Sequence, residues 1–201
     1  MNTIVDLQDY RDRRSPPTLV LVDLHEEQIG IGDRPAIDDA IRVLAQCRSL
    51  VAHSRNAGWS IAFVRPLRIS TPGREPSAPK WIQGLAPQRC DMVFDRRAPS
   101  CYAHAEFADA IAQDGGVFAL AGFSAGSVCL TTLMDAFHHG HRATLISDAT
   151  ASESLNGVAP ADGHRAFLAL AGRYAQIATT AQWIESAGKS SQQQRSPHAF
   201  A

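Results

Sequence analysis

The sequence predicts a single α/β domain built on an open, mostly parallel β-sheet. Six short apolar runs are continuous rather than alternating, which is typical of parallel strands covered on both faces. Segments with apolar residues at helical spacing fall between most of these runs, and this alternation favours right-handed crossover connections within one sheet. The chain has 201 residues, 45% of them hydrophobic, which is enough for one domain with a large core.

The predicted strands follow one another at intervals that leave room for helices. They are Thr18–Val22, Ser60–Val64, Met92–Phe94, Val117–Ala121, Ala143–Ile146 and Gln176–Thr179. The first helix carries apolar residues from Ile37 to Val51 and ends at Gly58, a typical stop signal. The other predicted helices cover Ala103–Ala112, Ser127–His139, Ala161–Tyr174 and Thr180–Ser186. Helices on both faces would give a Rossmann-like three-layer sandwich with a six-stranded sheet.

Composition along the chain indicates one domain between two polar ends. We expect a polar N-terminal arm over residues 1–16, the α/β domain over residues 17–186 and a flexible tail over residues 187–201. The segment Leu67–Pro87 is rich in Pro, Gly and Ser. It is long for a simple connection, and long loops in compact domains are often functional.

The overall charge and the cysteines exclude several classes of protein. The formal net charge is −1, which gives no basic footprint for nucleic acid or a membrane surface. No apolar run reaches the roughly 20 residues that a membrane span needs, and the polar start lacks the apolar core of a signal peptide. We therefore expect a cytoplasmic protein. The four cysteines are scattered, which indicates neither a zinc site nor a disulfide framework.

Chemically active residue types follow three of the predicted strands. Asp23 follows the first strand, Arg96 follows the third, and the Gly122–Gly126 loop follows the fourth. In parallel sheets the active site lies at the carboxyl ends of the strands. The sequence therefore predicts that an acid, a base and a small-residue loop share one edge of the sheet.

The Gly122–Gly126 loop matches G-x-S-x-G, the elbow that presents the nucleophile of serine hydrolases. In this interpretation Ser124 attacks the substrate, and Asp148 and His164 follow in the order that the triad requires. The interpretation leaves Asp23 without a role.

Four longer segments lead to a second interpretation. They read TLVLVDLHEEQ, APQRCDMVFDRRAPSCYAHAEFADAI, LAGFSAGSVCLTTLMDAFHHGHRATLISDATAS and HRAFLALAGRYAQIATT. In this order they resemble the isochorismatase-like hydrolase family, also called the cysteine hydrolase superfamily. The resemblance extends from Pro17 to Trp183, and it is specific because several spaced motifs agree. It implies a six-stranded parallel sheet flanked by helices.

The resemblance implies three catalytic positions: an Asp after the first strand, a Lys before an S-x-aromatic motif, and a Cys where the helix after the fourth strand begins. Asp23 matches the first. The Lys position, four residues before Ser100, holds Arg96, and the Cys position, six residues after Gly122, holds Val128. Valine cannot form a covalent intermediate, and arginine stays protonated, so it is a poor proton shuttle.

Cys129 lies one residue beyond the nucleophile position. The isochorismatases of the family have a small residue there, followed directly by a cysteine, and they hydrolyse a vinyl ether without a thioester. The segment here resembles that version, with Val128 in place of the small residue. Cys129 shares an i, i+4, i+7 stripe with Leu133 and Ala136, which predicts that its thiol points into the core.

The resemblance also indicates the surroundings of the pocket. We expect His25, Trp81, Phe123 and Ser124 to line it, and backbone N–H groups of residues 124–128 to bind a substrate oxygen. The metal-binding members of the family carry a D-x-H cluster after the second strand, which this sequence lacks, so we expect no metal and no cofactor. Family members commonly form dimers or tetramers, so we expect a homodimer or homotetramer that takes a small-molecule substrate.

Several arginines have two interpretations each. Arg96 either serves the pocket or pairs with a surface acid such as Asp91 or Asp95. Arg65 and Arg68 follow the second strand, and they either grip a carboxylate or stay exposed as solubilising charges.

Three hypotheses for the function follow. The first is a hydrolase of a small amide or a related C–N or ether bond that works through Asp23 and Arg96 without the family thiol. The second is an inactive relative that binds a small acid or serves as a structural partner. The third is a serine hydrolase that uses Ser124.

Overall fold

The computed structural model describes residues 16–30, 39–68, 77–152 and 157–193. Within them, six strands form one sheet in which all neighbouring strands are parallel. The strands are β1 (Thr18–Val22), β2 (Ile61–Pro66), β3 (Met92–Arg96), β4 (Val117–Gly122), β5 (Arg142–Thr150) and β6 (Gln176–Ala178). All six predicted strands are confirmed, and β5 extends beyond its predicted end at Ile146.

The strand order is β3-β2-β1-β4-β5-β6. The chain fills the sheet from β1 toward one edge and then from β4 toward the other, so the order reverses between β1 and β4. Ligands of open parallel sheets bind beside such a reversal, at the carboxyl ends of the strands. Val22 lies beside Gly122 in the register of these two strands, so Asp23 and Phe123 leave the sheet side by side.

Helices cover both faces of the sheet. They are α1 (Ala40–Ala57), α2 (Phe107–Gln113), α3 (Leu130–His138), α4 (Pro160–Ala171) and α5 (Thr180–Gln193). Successive side chains of a strand point to opposite faces. Leu19 and Leu21 of β1 pack in a cluster with residues of α1 and α5. Val20 and Val22 pack in a second cluster with residues of α2, α3 and α4, which confirms the three-layer sandwich.

Of two predicted helix ends, the structure confirms one and contradicts the other, each for a local reason. Helix α1 ends at Gly58, whose left-handed φ of 70° lets its N–H cap the helix at the carbonyls of Arg55 and Ser54. The helix predicted from Ala103 begins only at Phe107. The ring of His104 accepts the N–H of Glu106 at 3.3 Å, and such side-chain bonds to nearby backbone compete with the helix.

The last helix extends beyond its predicted end. Helix α5 continues to Gln193 instead of ending at Ser186. Residues 187–193 include Ala, Lys and Gln, which are good helix formers, and extending an existing helix costs little. Residues 1–15 of the expected arm, residues 31–38, residues 69–76 of the expected loop and residues 194–201 lie outside the described part of the chain.

None of the helices in the described ranges combines the length and the apolar character needed to cross a membrane.

Gly122 determines how closely β1 and β4 approach each other at the reversal of strand order. Its φ is +124°, and a Cβ at this position would lie 2.0 Å from the carbonyl oxygen of Val22 and 2.8 Å from its nitrogen. Both clashes are with backbone, which cannot rotate away. A side chain at this position would therefore separate the two strands that carry Asp23 and Phe123.

We expect Gly122→Ala to lower the free energy of unfolding by about 2–3 kcal/mol, because it adds a methyl group against rigid backbone at a positive φ. Urea unfolding measures the change. Gly126→Ala is the matched control, because a Cβ there meets nothing within 4 Å. Equal unfolding midpoints for the two variants would contradict this account of the strand contact.

Candidate functional site

Asp23 turns the chain out of β1 at the reversal of strand order. Its φ is 53°, in the left-handed region that few residues other than glycine adopt and that aspartate tolerates. Its N–H donates to the carbonyl of Val64 at 2.9 Å, and its own carbonyl accepts the N–H of His25 at 2.9 Å. Only 3% of Asp23 is exposed, so the chain holds a carboxylate inside the protein at the carboxyl edge of the sheet.

Arg96 supplies the opposite charge. Its Nη2 lies 2.6 Å from Oδ2 of Asp23, and the side chains are 7% and 4% exposed respectively. Nη1 donates to the carbonyl of Ala98 at 2.9 Å. The Nε atom of Arg96 is buried and has no hydrogen-bond partner among the described residues. A guanidinium this close favours the ionised form of the Asp23 carboxyl group.

The partners of the two surface acids decide between the two interpretations of Arg96. Asp95 instead binds Nε of Arg65 at 2.8 Å, and Asp91 binds Nη2 of Arg55 at 2.8 Å. Arg96 is therefore a buried partner of Asp23 and not a member of a surface ion pair.

The loop after β4 forms a tight turn that uses its own hydrogen bonds. Ser124 has a φ of 60°, and its carbonyl oxygen accepts the N–H groups of Ser127, Val128 and Cys129 at 3.2, 2.8 and 3.3 Å. The N–H of Ala125 donates to the carbonyl of Ala151 at 3.0 Å. The expectation that N–H groups of residues 124–128 bind a substrate oxygen is therefore wrong for Ala125, Ser127 and Val128, since protein carbonyls already occupy them.

Val128 and Cys129 both belong to the apolar core. Val128, at the expected nucleophile position, is 4% exposed and clusters with apolar residues of the sheet such as Val22 and Val64. The thiol of Cys129 is fully buried and lies 3.8 Å from the carbonyl of Phe123. Burial raises the pKa of this thiol well above its usual value. The prediction that Cys129 points into the core is confirmed.

Of the expected pocket residues, His25 and Ser124 are buried polar side chains, whereas Phe123 is part of the apolar core. His25 is buried, with its Nε2 3.3 Å from Nε2 of Gln28, and its backbone pairs with Trp81 in an isolated antiparallel bridge. Ser124 is buried in the turn next to Asp23. Phe123 is fully buried in the core cluster on the α1 side, so its side chain packs there rather than lining the pocket.

Trp81 is held in place by a contact that the sequence did not reveal. The Arg65 guanidinium lies 4.6 Å from the centre of the indole ring, and it also binds Asp95 and the carbonyl of Pro79. The ring packs edge-on against Phe63 at 5.6 Å. Arg68 pairs with Glu27. Neither arginine is a purely solubilising charge, and the only sequence signal was their position after the second predicted strand, which ended at Val64; in the structure Arg65 belongs to β2.

The serine triad is not assembled. The carboxylate of Asp148 accepts the N–H and hydroxyl of Thr180 at 2.7 and 2.9 Å, which caps helix α5. His164 lies 3.4 Å from the hydroxyl of Ser152 and 3.3 Å from the carbonyl of Ser147. The acid and the histidine therefore serve other contacts, and the triad is wrong as an arrangement. The described residues also contain no group of three or more potential metal ligands.

Solved structures share this fold. An isochorismatase from Pseudomonas putida KT2440 has 24% identity and a TM-score of 0.72, with 89% of this chain and 98% of that chain covered. A cysteine hydrolase from Pseudomonas syringae pv. phaseolicola 1448A has 19% identity and a TM-score of 0.78, with 87% of this chain and 93% of that chain covered. N-carbamoylsarcosine amidase from Thermoplasma acidophilum has 22% identity and a TM-score of 0.62, with 82% of this chain and 96% of that chain covered. At these identities the likeness shows the fold alone.

Among curated proteins, none matches this sequence. The model of the isochorismatase domain family matches residues 17–182, nearly the whole folded part of the chain. The six-stranded parallel sheet and the reversal of strand order at Asp23 agree with that match. The chain therefore belongs to the isochorismatase domain family.

Proposed function

We propose that this protein is a hydrolase that cleaves an amide or a related C–N or ether bond of a small anionic substrate without a thiol nucleophile. The observation that carries the proposal is the buried Asp23–Arg96 pair at the carboxyl edge of the sheet. A buried charge pair in the crevice of an α/β sheet is a feature of functional sites, because burial of charges is otherwise costly.

Asp23 acts on water in this proposal. Arg96 keeps the carboxylate ionised, so Asp23 can accept a proton while the water oxygen adds to the substrate carbonyl. The C–N bond then breaks, and the proton on Asp23 passes to the departing nitrogen. Asp23 ends the cycle ionised again, and one water is consumed for each bond cleaved.

Arg96 holds the Asp23 carboxylate and keeps one donor for a substrate oxygen. Its Nη2 and Nη1 atoms are occupied by Asp23 and Ala98, whereas its buried Nε has no described partner. An unsatisfied buried donor is unfavourable, so an oxygen placed against Nε is stabilised by more than an ordinary surface contact. A carboxylate or carbonyl oxygen of the substrate fits this requirement.

The names of similar structures support the choice of bond. One of them is an amidase of N-carbamoylsarcosine, and others are named isochorismatases or cysteine hydrolases. Val128 cannot supply the nucleophile, so water is the remaining one for such a bond. We further infer a homodimer or homotetramer, as the resemblance to the family implies, and a cytoplasmic location, as the composition of the chain led us to expect.

A second candidate function is an inactive relative that binds a small acid. Two observations favour it: Val128, at the expected nucleophile position, has a buried apolar side chain, and the carbonyl of Ser124 occupies N–H groups that could stabilise an oxyanion. Such a protein would keep the ion pair and its binding crevice but would lack turnover. The Ser124 hydrolase has no comparable support.

We expect Asp23→Asn to lower turnover by roughly 10²-fold or more, because a general base contributes at least this factor. The measurement is product formation from a panel of small amides, ureides and isochorismate. Asp109→Asn, which neutralises an exposed acid on α2, is the matched control. Circular dichroism and urea unfolding show whether the variant is folded, since Arg96 is left without its buried partner. Turnover by folded Asp23→Asn equal to that of the wild type would exclude this role.

The double variant Val128→Cys, Arg96→Lys tests the second candidate. If the natural protein is inactive because these two positions changed, the double variant should gain amidase turnover that the wild type lacks. Val128→Ala, Arg96→Lys is the control without a thiol. Measurable wild-type turnover on any substrate of the panel would instead reject the inactive relative.

We expect Cys129→Ala to leave turnover unchanged, because its buried thiol is protonated and packed in the core. Burial also raises the pKa of Cys101 and Cys47 to about 12, whereas Cys90 is exposed. Alkylation of the native protein near neutral pH should therefore modify Cys90 alone and leave turnover intact. Inactivation by alkylation that follows modification of Cys129 would show that a thiol does take part.

A further inference from the structure

Strand β5 bulges just before it reaches the carboxyl edge of the sheet. Leu145 of β5 pairs with Leu120 of β4. A second pair joins Thr150 to Gly122, five residues further along β5 but only two further along β4. Residues 147–149 therefore leave the ladder with β4, and their backbone groups need other partners. Bulges of this kind are frequent beside active sites, where they redirect the chain.

Side chains from both faces of the sheet bind the carbonyl groups of this bulge. On the α1 face, Arg42 donates to the carbonyl of Asp148. On the α4 face, Nε2 of His164 lies 3.3 Å from the carbonyl of Ser147, which is also 3.3 Å from the hydroxyl of Thr150. His164 therefore ties the bulge to helix α4.

The second ring nitrogen of His164 reaches the chain beyond the bulge. Nδ1 lies 3.4 Å from Oγ of Ser152, a residue that is 6% exposed. A neutral imidazole has one donor nitrogen and one acceptor nitrogen. Because a carbonyl can only accept, the proton lies on Nε2 toward Ser147, and Nδ1 accepts from the hydroxyl of Ser152. His164 thus bridges the two ends of residues 147–152.

This segment also holds the turn after β4. The carbonyl of Ala151 accepts the N–H of Ala125 at 3.0 Å, and Ala125 belongs to the turn that leaves the sheet beside Asp23. Ala151 directly precedes Ser152 in the chain. A contact that fixes Ser152 therefore also fixes the carbonyl on which the turn depends.

We propose that His164 is a positioning residue that holds the turn after β4 in place beside Asp23. It acts through Ser147 and Ser152 and touches neither the substrate nor the water. The inference rests on the proposed function, because it takes this turn to border the space in which water meets the substrate. A displacement of about 1 Å at such a border can lower a rate by roughly 10²-fold, since the reacting atoms must be aligned.

Acid should weaken this contact. Burial lowers the pKa of His164; the hydrogen bond to the Ser147 carbonyl raises it, and of the charged groups that face the ring, Arg42 lowers it and Asp39 raises it. Once protonated, Nδ1 can no longer accept from Ser152. The unfolded chain takes up this proton as the pH falls below about 6.5, whereas the folded chain resists it, so the contribution to stability is present above that pH and is lost on acidification.

Hydrogen exchange measured by NMR at pH 7 tests the contact without a substrate. We expect His164→Ala to raise the exchange rate of the Ala125 amide by about tenfold, as expected for a lost hydrogen bond, while the amides of β1 exchange as in the wild type. Ser152→Ala should have the same effect, and the double variant should add little, because both changes remove one contact. Arg165→Gln, which removes an exposed charge from the same helix, is the matched control.

Turnover gives a second readout. On any substrate that the wild type cleaves, His164→Ala should lower kcat by about tenfold or more with a smaller change in KM, because the contacts at Arg96 are retained. His164→Gln, whose amide N–H can still donate to the carbonyl of Ser147, should recover most of kcat. The wild type should also lose activity between pH 7 and 5 in a step that His164→Gln lacks.

Three results would overturn the proposal. The first is an Ala125 amide that exchanges in His164→Ala as it does in the wild type. The second is equal acceleration of the β1 amides, which would show only a loss of global stability. The third is an identical pH profile for the wild type and His164→Gln. If His164→Ala does not fold, Ser152→Ala decides by the same exchange measurement. A wild type without turnover would contradict the proposed function, and exchange at Ala125 would still decide whether His164 holds the turn.

Discussion

The buried contact between Asp23 and Arg96 is the constraint on which the arrangement of the site depends. Removing either partner would leave an uncompensated charge in a region less than a tenth exposed, which is strongly destabilising. The pair also joins the end of β1 to the end of β3 across β2. The left-handed backbone of Asp23 is therefore held by its neighbours, as strained residues at functional sites usually are.

This contact gives a physical reason for arginine at the position where the resemblance leads us to expect lysine. The planar guanidinium donates in several directions at once, toward the Asp23 carboxylate and the Ala98 carbonyl. A lysine ammonium is a single point charge and would not hold both acceptors in the same way. Val128 is buried in the apolar cluster that also holds Val22 and Val64, where a valine side chain needs no polar partner.

Much of the fold could be predicted because burial on both faces gives continuous apolar runs such as that of β1. The position of Asp23 followed from the same reasoning, since it directly follows such a run. The pleat of β3 could have excluded Asp95 as the partner of Arg96, because the two residues are adjacent in the strand and point to opposite faces. The hydrogen bonds of the turn at Ser124 could not be predicted, because they depend on a left-handed residue and on the carbonyl of Ala151, which is far away in sequence.

One β–α unit reaches both ends of the molecule. Strand β4 begins at Val117, which lines a cleft at the amino ends of the strands together with Phe137 and Tyr174. The strand ends at Gly122 beside Asp23, and α3 runs back from the turn to Phe137 in this cleft. A substitution within this unit shares neighbours with both regions. Its effect should therefore be non-additive with the effect of a second substitution in either region. Substitutions in β3 or in the α4–β6 connection touch one region only, so evolution could alter either region through them without disturbing the other.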